Sequence, residues 1–331
     1  MAVNLPPQYH DAEAEYKRAG NAEERLAALQ KMWTILPKHK ASEKVQADLK
    51  TKISETKKEV EQEKKAPKKG GGLTFKFQRQ GAGQYVILGG PNAGKSSLLR
   101  KFTRATPEVA PYPFTTREPS AGMMDWQDVR LQLIDTPPIT ADVLEPFHGE
   151  LTRAADAAVL MIDLADDDSP FATEAVIEQL AKVKKQLVAA EPPDGEPNVF
   201  YQRTLLVANK IDADGAAERL EMIREMFAPA FPGMLVVSLE RGDGLDELQN
   251  KLWSFLDVMR VYTKEPGKPA DKTAPFTVPV GWSVAEMAGR VHADFFDKLK
   301  SARVWGTGVF DGQSVGRDHV LHDKDVVELH V

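Results

Sequence analysis

The chain of 331 residues contains no cysteine. That excludes disulfides and any metal site built on thiolates. It also lacks an apolar run approaching the length of about 20 residues that spans a bilayer. Its first residues, Met1-Ala2-Val3-Asn4-Leu5-Pro6-Pro7, have neither the basic nor the apolar region of a signal peptide. Together these absences predict a cytoplasmic protein with no membrane partner. Positive charge is not in excess either. The formal net charge is −6, which argues against avid nonspecific nucleic-acid binding by the whole chain and gives no sign of DNA specificity. A local basic surface stays open. What is present is ordinary for globular protein: 42% hydrophobic and 28% charged residues, with length for two domains and a small third.

One stretch stands out. Gly89-Gly90-Pro91-Asn92-Ala93-Gly94-Lys95-Ser96 fits G-x-x-x-x-G-K-[ST], the phosphate-binding P-loop. The strand-like run Tyr85-Val86-Ile87-Leu88 precedes it, and the helix-like run Ser97-Leu98-Leu99-Arg100-Lys101-Phe102 follows. Those flanks favour a phosphate site over an ordinary glycine-rich turn. Glycines let the backbone approach an anion closely, and the N–H groups of the loop and helix start then face it. Gly89, Asn92, Ala93, Gly94, Lys95, Ser96 and Ser97 are therefore the expected phosphate contacts. Lys95 would reach the β- and γ-phosphates, and the Ser96 hydroxyl would ligate Mg²⁺.

Residues 1–65 read as a helical hairpin. Asn21-Ala22-Glu23-Glu24 resembles a capping box. Leu26, Leu29, Trp33 and Leu36 form one apolar stripe, Val45, Leu49, Ile53 and Val60 a second. Trp33 is read as packing between the helices. Residues 1–72 hold 15 Lys and Arg against 11 Asp and Glu. Lys57-Lys58, Lys64-Lys65 and Lys68-Lys69 can contact RNA phosphates or simply form a solvated face. Residues 66–83, with Gly70-Gly71-Gly72, read as a linker.

From 84 to 262 short apolar strands alternate with amphipathic helices. Strands are expected at 84–89, 121–126, 129–135, 158–163, 204–208 and 234–238, helices at 95–103, 141–154, 172–190, 215–228 and 244–258. The pattern predicts an α/β fold with a mostly parallel, doubly wound sheet. Ligands on such sheets bind at the carboxyl ends of the strands. There lie Asp135-Thr136-Pro137-Pro138, Asn209-Lys210-Ile211-Asp212 and Ser238-Leu239-Glu240, with Pro113-Phe114-Thr115-Thr116 between the P-loop and Asp135. In order and spacing they match the nucleotide-contact segments of translation-factor-class GTPases. Asp212 can accept from guanine N1–H and the 2-amino group, which adenine does not offer. Asn209 would fix the base edge, the Lys210 stem would cover the ring, and Ser238 and Leu239 would buttress it. Asp135 would hold a Mg²⁺-bound water, and Thr116 would ligate Mg²⁺ when GTP is present.

The P-loop through Leu98, together with Tyr112-Pro113-Phe114-Thr115-Thr116, resembles the Obg family. Arg260-Val261-Tyr262-Thr263-Lys264, Pro266-Gly267-Lys268-Pro269 and the N-terminal hairpin resemble its Drg (developmentally regulated GTP-binding) branch. Ala302 to Gly306 and Phe310 to His319 resemble that branch's TGS domain. Only about 74 positions separate Asp135 from Asn209, which leaves no room for the domain that Drg proteins insert. The resemblance implies GTP and GDP as ligands, slow hydrolysis of GTP as a molecular switch, and association with the ribosome or RNA. A protein activator stays open as a further partner. Two departures bear on mechanism. Pro138 stands where the family has a glycine whose N–H meets the γ-phosphate, and proline has no N–H. Ile139 follows, where many GTPases carry a water-orienting glutamine. Catalysis would then rest on Mg²⁺, Lys95 and Thr116, or on an external group. The resemblance also makes Asn92 a K⁺ ligand; a purely loop-shaping role stays open beside it. A nucleotide-dependent scaffold with little hydrolysis, and an RNA-binding protein with a structural nucleotide site, are the alternatives.

Residues 263–274 read as a second linker, and 275–331 as a small β-grasp (TGS) domain. Strands are expected at 276–280, 302–305, 309–310 and 326–329. A capping box, Ser283-Val284-Ala285-Glu286, starts a helix. His292, His319, His322 and His330 match no zinc pattern and read as structural or surface residues.

Overall fold

The computed structural model describes residues 5–19, 22–36, 42–65, 77–103, 108–109, 118–192, 195–196 and 198–331. They divide between two compact units. One lies within Thr74–Asp257; the other joins segments of Met1–Leu73 to Val258–Val331. Asn21 of the expected capping box, residues 66–76 of the first linker, and Thr116 with its neighbours 110–117 lie outside the described residues.

In the Thr74–Asp257 unit, β1 (Gly83–Gly89) runs parallel between β4 (Val129–Asp135) and β5 (Ala157–Asp163). Every residue of β1 and β5 is buried, as central strands covered on both faces require. Beyond β5 comes β7 (Phe200–Asn209), whose far edge is shared by β6 (Lys185–Val188) and β8 (Leu235–Val237). On the other side, β3 (Ser120–Trp126) and β2 (Glu108–Val109) extend the sheet antiparallel. Its helices are α4 (Lys95–Phe102), α5 (Pro146–Ala154), α6 (Ser169–Lys182), α7 (Ala216–Phe227) and α8 (Leu245–Ser254). This is the expected doubly wound, mostly parallel sheet, and it brings the ends of β1, β4, β7 and β8 together.

Three helix expectations need correction. The helix expected at 141–154 starts at Pro146, whose fixed φ suits a first turn behind Glu145. The one expected at 172–190 ends at Lys182; Lys184 turns the chain at φ 58°, and Lys185–Val188 becomes β6. The one expected at 244–258 ends at Ser254, and Asp257 at φ 53° sends the chain into a strand.

That strand, β9 (Val258–Thr263), belongs to the other unit. Its sheet runs β10-β9-β13-β11-β12, with β10 (Asp271–Pro279), β11 (Ser301–Trp305), β12 (Gln313–Val315) and β13 (Asp325–His330). Only β9 and β13 pair parallel. Residues 258–262, expected in the GTPase domain, and 271–274, expected in the linker, are therefore strand residues of this sheet. Its helices are α9 (Val284–Val291), packed on the sheet, and the short α10 (Phe295–Lys298). The capping box of α9 forms: Ser283 Oγ accepts from the Glu286 N–H, and Glu286 Oε2 from the Ser283 N–H. No strand forms at 309–310, where Phe310 is 85% exposed.

The N-terminal helices of the same unit are α1 (Pro7–Arg18), α2 (Ala22–Ile35) and α3 (Glu43–Lys65). Leu29, Leu36 and Leu49 from the expected stripes join Tyr9, Ala12 and Met32 in a small core, with Trp33 partly buried against it. The hairpin reading missed α1 as a separate helix. Gln8 Nε2 donates to the Gly289 carbonyl at 2.8 Å, which fastens α1 to α9.

Candidate nucleotide site

Between β1 and α4 the chain folds around positive-φ positions: Gly89 at 151°, Asn92 at 57° and Gly94 at 99°. A Cβ on Gly94 would lie 2.3 Å from Asn209 Nδ2. Glycine there allows the P-loop to touch the end of β7. Asn209 uses the closeness on both sides. Its Nδ2 donates to the Ala93 carbonyl at 3.1 Å, and its Oδ1 accepts from the Leu239 N–H at 3.2 Å. One buried side chain thus ties together the phosphate loop and the two base segments.

A cavity of about 1000 Å³ opens over this junction. Among the expected residues, Asn92, Gly94, Lys95, Ser96, Ser97, Asp135, Asn209, Lys210, Asp212 and Leu239 line it. Gly89, Ala93 and Ser238 do not border it; Thr116 lies outside the described residues. Glu118 and Ala165 also line it and were not anticipated.

Lys95 is buried, and its ammonium donates to the carbonyls of Gly89 (3.0 Å) and Gly90 (2.6 Å). It is thereby held as a fixed cation at the loop. Ser96 Oγ donates to Asp135 Oδ2 at 2.6 Å. Asp135 Oδ1 is buried and finds no hydrogen-bond partner among the described residues. Burial pushes the Asp135 carboxyl up, against the opposing pull of Ser96 and Lys95. A desolvated carboxylate beside a hydroxyl is an oxygen donor set with a charge to neutralise. These residues fit Mg²⁺.

The residues expected to bind the base behave differently. The hydrogen bond from Ser238, itself fully buried, is the main reason the Asp212 carboxyl titrates below its ordinary range. Asp212 stays ionised, and its buried Oδ1 also lacks a partner among the described residues. Ser238 Oγ accepts in turn from the Arg241 N–H at 3.0 Å. Lys210, at φ 69°, reaches Asp163 Oδ2 with its ammonium at 2.5 Å.

The segment after Asp135 is pinned without a glycine. Thr136 Oγ1 donates to the Ile87 carbonyl (2.7 Å), and the Ile139 N–H to the Gly89 carbonyl (3.2 Å). Ile139 is fully buried in the core, so the departure from glutamine serves packing. The fully buried His148 of α5 supplies a further tie. Its Nδ1 accepts from the Glu145 N–H, which leaves Nε2 to donate to the Pro137 carbonyl at 2.9 Å. Burial is the main cause that lowers its pKa. The sequence reading passed over His148 and Asp163. Only the position of Asp163 at a strand's carboxyl end hinted at a role.

Comparison with known proteins agrees with this geometry. Residues 84–210 match the family described as 50S ribosome-binding GTPase, and residues 259–331 match the TGS domain. An uncharacterized GTP-binding protein of Halobacterium salinarum is 24% identical, over 93% of this chain and 98% of its own. Developmentally-regulated GTP-binding protein 1 of Xenopus laevis is 25% identical, over 92% and 98%. Among solved structures, the Schizosaccharomyces pombe YchF GTPase aligns with a TM-score of 0.51 at 11% identity, covering 76% of this chain and 99% of that one; this likeness concerns the fold. The chain is thus similar along most of its length to Obg- and Drg-like GTP-binding proteins, its residues 84–210 matching the 50S ribosome-binding GTPase family and its residues 259–331 the TGS domain.

Proposed function

We propose that the protein hydrolyses GTP to GDP and phosphate as a slow switch, and that its nucleotide state is read by the ribosome or another RNA. The observation that carries this reading is the pairing of two carboxylates on one cavity. Asp212 and Asp135 both line it, and each keeps a buried oxygen without a partner among the described residues. The first suits the N1–H and 2-amino donors of guanine, the second a hydrated cation. Lys95 neutralises the phosphates, and the N–H groups at the start of α4 face them. When bound, Mg²⁺ supplies neutralisation of the charge on the β- and γ-oxygens; Ser96, Asp135 and Thr116 would hold it. Water attacks the γ-phosphorus as the bond to the bridging oxygen breaks. Asn92, at positive φ on the cavity wall, is the side chain to hold a K⁺ beside the phosphates.

A second reading, a nucleotide-dependent scaffold that hydrolyses little, draws on Ile139. Its side chain is buried, and Pro138 has no N–H to offer. Single-turnover hydrolysis in KCl and NaCl at equal ionic strength separates the two. Faster turnover in K⁺, lost in Asn92→Ala, supports the cation-assisted GTPase. Equal and negligible turnover in both salts supports the scaffold or a group supplied by a partner. The RNA-facing role is tested separately, by comparing RNA affinity of the GDP and GTP-analogue forms; equal affinities would refute a nucleotide-gated contact.

A further inference from the structure

We propose that Asp163 is a positioning residue of the base site, which clamps both Lys210 and Ala165 to the end of β5; this rests on reading the cavity as a guanine-nucleotide site. Asp163 is the last residue of β5, and its Cα pairs with that of Asn209 in the parallel ladder. Its carboxylate is only 5% exposed. Both oxygens are spent locally: Oδ2 on the Lys210 ammonium at 2.5 Å, Oδ1 on the Ala165 N–H at 2.8 Å. Lys210 and Ala165 both line the cavity.

Burying a carboxylate is expensive unless it is paired, and burying it at a strand end next to solvent buys the fold little. The return is geometric. An untethered lysine has four rotatable bonds and would sweep through solvent. With its ammonium fixed at Asp163, and its backbone set at φ 69°, the methylene stem of Lys210 is confined beside the base. Charge-assisted hydrogen bonds are the strong ones, so the clamp acts before a nucleotide arrives. The cost of ordering Lys210 is then met in folding, not in binding. Asp163 touches no nucleotide in this scheme; it acts through Lys210 and Ala165.

The test is the release rate of a fluorescent GDP analogue from wild type, Asp163→Asn, Lys210→Met and the double variant. Asparagine keeps the shape and the acceptor for the Ala165 N–H but removes the charge. Methionine keeps the stem of Lys210 and removes its anchor. Each single variant is expected to release the analogue on the order of tenfold faster. The double variant is expected to be no faster than the faster single, because both changes break one link. The Mg²⁺ concentration for half-maximal retention is expected to stay at the wild-type value, which a general loosening of the domain would not allow. Release at the wild-type rate from Asp163→Asn, or effects that multiply in the double variant, would overturn the proposal. If Asp163→Asn fails to fold, Lys210→Met decides alone, and wild-type release from it would overturn the clamp. Should wild type itself prefer GDP no more than ADP, the guanine reading fails, and that outcome is distinct from all of these.

Discussion

At the scale of single residues, the site consists of carboxylates placed in opposite environments. Ser238 holds Asp212 ionised, and its free oxygen awaits a donor. Asp212→Asn turns one acceptor into a donor, so GDP binding is expected to fall by on the order of 100-fold. Xanthosine diphosphate, which presents a carbonyl where guanine has its 2-amino group, should gain; competition against a labelled nucleotide checks both. Asp135 is desolvated instead, and burial raises its pKa. Asp135→Asn removes a buried charge that has only partial support. The nucleotide-free variant should therefore melt higher than wild type at neutral pH, yet lose Mg²⁺-dependent retention of GDP. A melting temperature that falls along with retention would contradict this. These carboxylates were legible in the sequence because each ends or follows a β-strand at a spacing the chemistry fixes. His148 was not legible. A histidine within an amphipathic helix looks like any other, and only its bond to the Pro137 carbonyl gives it a task.

Among elements, the errors of sequence reading fall where local pattern and distant partner disagree. Leu187 and Val188 continue a helical stripe as well as they end a strand. The ladder with Phe200–Arg203 decides for β6, and no local periodicity reports that partner. The same pairing buries Lys185, whose pKa drops from 10.5 to about 8 through burial and, secondarily, the nearby Arg153. The sign follows directly. Between about pH 8 and 10.5 the unfolded chain holds a proton that the folded chain has released, so this residue's contribution to stability rises with pH across that window. Below about pH 8 the buried charge is a fixed penalty. Lys185→Met is thus expected to raise the melting temperature at pH 7, by an amount that shrinks toward pH 10. The same sign governs α5 at acid pH. His148 is neutral when folded and its pKa is lowered from 6.5. Its contribution is complete above that value and is lost as pH falls through the folded pKa. Melting of His148→Gln should decline less than that of wild type below about pH 6.5; a parallel decline would show that His148 does not titrate on unfolding.

For the whole molecule, chain order misleads about what folds together. The sequence suggests three consecutive modules, yet the two ends of the chain share one unit. Helices become visible through their stripes, but a docking between residues 281 positions apart leaves no trace in periodicity. The contact depends on a missing side chain. Gly289 lies within α9, and a Cβ there would sit 2.9 Å from Pro7 Cγ and 3.2 Å from Phe296 Cβ. Pro7 is buried, and Gln8 donates to the Gly289 carbonyl beside it. The nearby Arg290–Asp11 ion pair, at 3.7 Å and about half exposed on each side, adds little. Packing therefore dominates the joint, and interiors do not absorb an extra branched side chain without a shift. Gly289→Val is expected to lift α1 from α9. Amide exchange in Pro7–Arg18 and susceptibility to proteolysis there should rise by on the order of tenfold, while GDP release from the P-loop unit stays unchanged. Unchanged protection of α1 would mean that the N-terminal helices hold their place through their own core of Tyr9, Ala12 and Leu29.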